Sequence, residues 1–194
     1  MRTRSALVAA LLATLALWSW RSQLFTVGRP GAAPRPLEVS AENQRSAANL
    51  DVVLPAVPVG MRRLHQGGRV LLLHYWAPWE RNARAQAAAL DSLSHLGGLE
   101  GLDVVLVCFD PFHSVARFVA RQRLRLVVLL DGERRLRQTL PCPSIPYTYV
   151  IDSRGRIAVA QAGEVDWLGA ETRAMLARLL GEAPAKATKV SRSA

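Results

Sequence analysis

The chain has 194 residues, half of them hydrophobic, which allows one ordinary domain with attachments and a sizeable core rather than two full domains. Its formal net charge is +10, but residues 51–182 hold 16 Arg against 13 Asp and Glu, a balance of only +3, and the other +7 sits in the terminal segments. A basic excess placed there speaks to membrane orientation and solubility and argues against nucleic acid as a partner.

The chain opens Met-Arg-Thr-Arg, and the run SALVAALLATLALWSW (5–20) then carries no charge. Its length lies between the ~7–15 residues of a signal-peptide core and the ~17–25 of a membrane span. It ends in Trp18-Ser19-Trp20 rather than in a small-x-small cleavage site, and tryptophans there suit a membrane–water interface. Residues 1–24 are therefore read as an uncleaved signal-anchor. The alternative is a removed signal peptide that releases the domain after export. Arginines flank the run on both sides (Arg2 and Arg4, then Arg21 and Arg29), so the positive-inside rule does not decide its orientation. Residues 25–50, first rich in Pro, Gly and Ala and then polar without periodicity, are read as a flexible linker. One domain follows over 51–182, and 183–194 is a disordered basic tail.

Inside the domain, VLLLHYW (70–76) and LDVVLVCF (102–109) are continuous apolar runs, as expected of strands covered on both faces. Residues 126–131 form a shorter extended run. Helix formers dominate 80–96, which Gly97-Gly98 close, and helices are also predicted over 113–124, 132–140 and 169–181. YTYVID (147–152) and RIAVAQ (156–161) flank Ser-Arg-Gly, a hairpin signal. Alternating strands and helices followed by a hairpin and a last helix imply an α/β fold, a mixed sheet flanked by helices. Cys108 and Cys142 stand far apart and form no C-x-x-C. His65, His95 and His113 lie on different elements without ligand spacing, so no metal site is expected, and nothing implies a cofactor.

Four segments in order carry a family resemblance over roughly Val59–Leu180: GRVLLLHYWAPW (68–79), the helix from Glu80, SIPYTYVIDSRGRI (144–157) and AGEVDW (162–167). Together they resemble the thioredoxin-like superfamily, closest to the membrane-tethered TlpA/ResA-type thiol-disulfide oxidoreductases. The resemblance implies a thioredoxin-like fold on the extracytoplasmic side of a membrane. It also implies a C-x-x-C at the head of a helix, where a thiolate nucleophile is stabilised and a second cysteine one turn on resolves the mixed disulfide. Here Glu80 and Ala83 occupy those two positions, with Arg81 and Asn82 between them. Neither a carboxylate nor a methyl group can carry two electrons, so the chain is expected to be inactive as a dithiol enzyme.

The resemblance further implies that Pro146 is the cis-proline beside the active site and that the backbone before it, at Ile145, pairs with an extended peptide by strand addition. Trp79 and Thr148 join Ile145 and Pro146 as the expected binding residues. Three readings stay open. In the first, the domain is a peptide-binding or scaffolding module in the cell envelope, without a redox couple. In the second, it is a divergent oxidoreductase that uses Cys142, or a partner's cysteines, in envelope disulfide or cytochrome maturation. In the third, Glu80 and His74 form a general acid/base pair. Glu80 alone is otherwise an acid placed in the first turn of a helix. The basic run Arg117–Arg125 is a solvated face.

Overall fold

The computed structural model describes residues 33–58, 60–64 and 68–182. The signal-anchor expected at 1–24, the beginning of the linker, His65 and the basic tail at 183–194 lie outside the described residues. Among the described residues no helix is long and apolar enough to cross a membrane.

Among the described residues seven strands form one mixed sheet: β1 (Val53–Val57), β2 (Met61–Arg63), β3 (Val70–Tyr75), β4 (Leu102–Cys108), β5 (Val127–Leu130), β6 (Tyr147–Ile151) and β7 (Ile157–Ala162), in the order β2-β1-β5-β4-β3-β6-β7. β3, β4 and β5 are parallel, while β6 runs against β3, β7 against β6, β1 against β5 and β2 against β1. Every residue of β3 is buried, as its unbroken apolar pattern requires of a central strand. Four α-helices among the described residues accompany the sheet: α1 (Ala83–Leu93), α2 (Phe112–Gln122), α3 (Arg135–Thr139) and α4 (Ala170–Gly181). α1, α2 and α4 bury Ala87, Leu90, Val115 and Leu176 in one core layer with Leu72, Trp76 and Leu106 of the sheet. α3 supplies Leu136 to the opposite layer, among Leu71, Leu73, Tyr75 and Val107. The architecture is the expected thioredoxin-like α/β fold.

Four local differences from the sequence reading have physical causes. β1 and β2 carry no clear sequence signal, because Pro55 interrupts the run and the hairpin lies at the end of the sheet, where a proline is tolerated. α1 starts at Ala83 rather than Glu80 because the Glu80 carboxylate accepts the N–H of Asn82 at 2.9 Å and holds residues 80–82 in a turn. α2 ends before Arg123, which adopts a left-handed conformation (φ 54°). The N–H of Leu124 then reaches back to the Val119 carbonyl, a Schellman-type end made without glycine and therefore without a stop signal.

The fourth difference is the expected linker. Residues 33–50 pack on the domain: Leu37 and Leu50 are buried, and Arg35 and Ala47 form isolated bridges to Val165 and Arg156. Arg45, its side chain only 3% exposed, pairs with Asp152 at 3.2 Å and Glu182 at 2.6 Å. Polar, aperiodic sequence reads as a linker, but a few apolar and charged anchors suffice to fasten it.

Because β3, β4 and β5 are parallel and their antiparallel neighbours alternate, five connections meet at one end of the sheet. They are residues 76–82, 109–111 and 131–134, the loop 141–146 that enters β6, and the loop 163–169 that leaves β7. The carboxyl ends of parallel strands are where open α/β sheets place their sites.

Candidate functional site

The segment after β3 turns sharply. Trp76 and Ala77 are buried and Trp79 is 60% exposed, so the chain surfaces just before α1. The Trp76 indole N–H donates to the Ala83 carbonyl at 3.2 Å, and its ring meets Phe118 edge-on at 4.8 Å. This pins the first residue of α1 to the core, and the Ala83 methyl lies fully inside it.

The other side of the site is the loop 141–146, in which the Ile145–Pro146 peptide bond is cis, as the resemblance implies. Two tyrosines fix its entry: the Tyr75 hydroxyl donates to the Leu140 carbonyl at 2.9 Å and the Tyr149 hydroxyl to the Pro141 carbonyl at 2.7 Å. The Pro146 carbonyl accepts the N–H of Gly163 at 2.9 Å. Among the described residues neither the N–H nor the C=O of Ile145 meets a hydrogen-bond partner. Ile145 is itself only 8% exposed and Pro146 is buried, so neither side chain projects from the loop.

The loop 163–169 joins these two sides. Asn82 Nδ2 donates to Glu164 Oε1 at 2.5 Å, next to the Gly163 that binds Pro146. Deeper down, Trp167 Nε1 donates to Gln86 Oε1 at 2.6 Å, and Gln86 Nε2 donates to the Val165 carbonyl at 3.3 Å. Asn82, Gln86, Glu164 and Trp167 thus couple α1 to the cis-proline loop. The sequence reading singled out the segment 162–167 but assigned no role to these four residues, whose contacts span about eighty positions.

Glu80 is half-buried just outside α1, and the first turn of that helix carries no acid. The expected first-turn placement is therefore corrected. Burial raises the pKa of its carboxyl and the charge of Glu164 adds to this, while the N–H groups of Asn82 and Arg81 oppose the rise. The acid/base pair of Glu80 with His74 does not form. His74 is fully buried, its Nδ1 lies 3.0 Å from Thr148 Oγ1, and its ring meets Trp167 edge-on at 5.3 Å. Burial pushes its imidazole down to about 3, so it is neutral at physiological pH. Thr148, expected to bind a partner, is buried and spends its hydroxyl on His74. It supports the strand beneath the site and does not line a surface.

Cys142 is 4% exposed and donates its S–H to the Ser144 carbonyl at 3.1 Å. It packs with Tyr75 and Tyr149 in the core layer opposite α1. Burial pushes its thiol up to about 12, with nearby Arg137 only partly opposing this, so the nucleophilic thiolate is scarce at neutral pH. Cys108 is buried in β4 with its thiol likewise raised by burial, and both cysteines are free. Glu80 and Ala83, which the resemblance sets at the two cysteine positions, supply a carboxylate just before α1 and a buried methyl group at its first residue.

Solved structures similar to this chain share the fold. A secreted thiol-disulfide isomerase from Corynebacterium glutamicum superposes with a TM-score of 0.65 at 20% identity, covering 81% of this chain and 98% of that one. StoA from Bacillus subtilis gives 0.55 at 16% identity over 66% of this chain and 94% of its own. A secreted Mycobacterium tuberculosis disulfide oxidoreductase gives 0.54 at 14% identity over 68% of this chain and 96% of its own. No curated protein sequence matches the chain. Residues 56–160, more than half of the chain and including both the helix head and the cis-proline loop, match the AhpC/TSA family model, and the chain belongs to the AhpC/TSA family.

Proposed function

We propose that this protein is a TlpA/ResA-type redoxin domain that has lost its dithiol and works as a binding module for an extended peptide or protein client. The observation that carries the reading is the combination of a sulfur-free helix head, Glu80 and Ala83, with an Ile145 backbone whose N–H and C=O have no partner among the described residues. An extended strand can hydrogen-bond to such a backbone without any redox chemistry. Trp79, exposed at the rim, supplies an aromatic contact of the kind that dominates binding surfaces. The apolar run 5–20 would hold the domain on the extracytoplasmic face of a membrane. The second reading, catalysis by Cys142, is disfavoured by the burial of that thiol on the other face of the sheet.

The test uses the full chain in detergent and a reduced, carboxymethylated unfolded protein as probe, with binding followed by fluorescence anisotropy. Trp79→Ala removes an exposed side chain and should leave the fold intact. Ile145→Pro removes the free N–H. Each should weaken binding about tenfold or more, the cost of one good contact, with circular dichroism unchanged for Trp79→Ala. Full-strength binding by both variants would overturn the reading. In an insulin-reduction assay the wild type should stay at background, whereas a chain with Glu80→Cys and Ala83→Cys should gain activity. Wild-type turnover abolished by Cys142→Ser would instead establish the oxidoreductase.

A further inference from the structure

The same end of the sheet holds a second concavity away from the cis-proline loop. β1 overruns β5: Ala56 lies opposite Leu129, so Pro55 is level with Leu130 and Val53 and Leu54 continue past the end of β5, level with the loop 131–134. Between this overhang and the loops that follow β4 and β5 lies a groove of about 560 Å³. That volume is in the range of sites that take a compact ligand or one or two peptide side chains. One part of its wall is apolar. Met61 and Phe112, 63% and 55% exposed, face it together with Phe109 and Leu130. Phe109 is held in place, stacked on Tyr75 with centroids 5.5 Å apart, with the Arg137 guanidinium 5.7 Å from its ring.

Charge selects the occupant. Of the carboxylates on the groove, Asp131 accepts the N–H groups of Leu136 and Arg137 at 3.2 and 3.0 Å, and Glu133 pairs with Arg135 at 2.6 Å. Asp110 is half-buried, and among the described residues its carboxylate meets only the S–H of Cys108, at 3.3 Å. A cationic group on a ligand would therefore find a carboxylate without a cation beside an apolar wall. The form of the ligand follows from β2, the edge of the sheet. Gly60 and Leu64 bond inward to Ala56 and Val52, and Arg62 lies opposite Leu54 in the same phase, so Met61 and Arg63 turn their N–H and C=O outward. Met61 belongs to both features: its side chain lines the groove and its backbone lies on the free edge.

We propose that this groove binds an extended peptide segment that sets a large apolar side chain between Met61, Phe109 and Phe112 and a neighbouring Lys or Arg against Asp110. This surface is separate from the Ile145 loop, so the inference does not depend on the function proposed above.

The probes are two fluorescein-labelled peptides, acetyl-Ala-Thr-Phe-Arg-Val-Ala-amide and its Arg-to-Glu counterpart, titrated onto the full chain in detergent. The Arg peptide should bind about tenfold or more tightly than the Glu peptide, the discrimination expected of one complementary charge. Asp110→Asn should abolish that preference, and Phe112→Ser should weaken the Arg peptide with circular dichroism unchanged. A benzoylphenylalanine at the Phe position should crosslink to Met61, Phe109 or Phe112. Equal binding of the two peptides, no binding at millimolar concentration, or crosslinks confined to other surfaces would overturn the proposal. So would a concentration-dependent dimer that dissociates in Phe112→Ser, because a second copy would then be the occupant.

Discussion

His74 shows how one buried titratable residue leaves its mark on stability. Its pKa falls from the ordinary 6.5 to about 3 because the folded chain offers the imidazolium no water. Below pH 6.5 the unfolded chain takes up a proton that the folded chain refuses. The contribution of neutral His74 is therefore complete above that pH and is lost progressively as pH falls towards about 3, at up to ~1.4 kcal/mol per pH unit. His74→Leu should cost about 1–3 kcal/mol at pH 7, where it leaves the Thr148 hydroxyl unpaired. Urea unfolding at pH 7 and pH 4 should show the gap between wild type and variant narrowing with acid; a constant gap would contradict the assignment. Cys142 calls for a simpler measurement. With its thiol pushed up to about 12 and buried, it should react with Ellman's reagent only slowly in the folded chain and promptly in denaturant. Prompt labelling of the folded chain at neutral pH would restore the thiol reading.

Among the elements, α1 is the one whose position decides the site, and Gln86 is what ties it there. It is buried, accepts the Trp167 indole N–H and donates to Val165. Gln86→Leu keeps the volume but leaves the Trp167 N–H and the Val165 carbonyl without partners, at about 1–3 kcal/mol for each group left unsatisfied. Chemical unfolding should report a loss of roughly 2–6 kcal/mol. Client binding should weaken too, because the loop carrying Gly163 and Glu164 links α1 to Pro146. The turn between β6 and β7 is a contrasting case, local enough to be read directly. Gly155 adopts φ +77°, which an L residue tolerates poorly, and Ser-Arg-Gly predicts that hairpin.

At the scale of the whole molecule, the segment 33–50 belongs to the domain. A chain beginning at Asp51 would lose the buried Leu37 and Leu50, each worth ~1.5–3 kcal/mol. It would also lose Arg45, leaving Asp152 with Arg156 as its remaining basic partner. Its unfolding free energy should fall by about 5 kcal/mol, measured by urea titration against a chain beginning at Ala33. Equal stability of the two would mean that these contacts contribute nothing.

Patterns that need only neighbours along the chain were legible in the sequence. The apolar runs of β3 and β4 can be buried only on both faces, the hairpin needs only its Ser-Arg-Gly turn, and the lack of sulfur at Glu80 and Ala83 is a matter of residue identity. The Ile145–Pro146 loop was legible through resemblance, since no local rule selects that proline over its neighbours. Tertiary packing decided the rest, because burial and pairing depend on residues brought together from far apart. It placed Thr148 beneath the site rather than on it, separated Glu80 from His74, and sent Cys142 into the layer opposite α1. It turned a polar stretch into a fastened belt through Arg45, and it aligned Met61 of β2 with Asp110 and Phe112 at the entry to α2 along one groove. No periodicity within any of these segments could show what it would face.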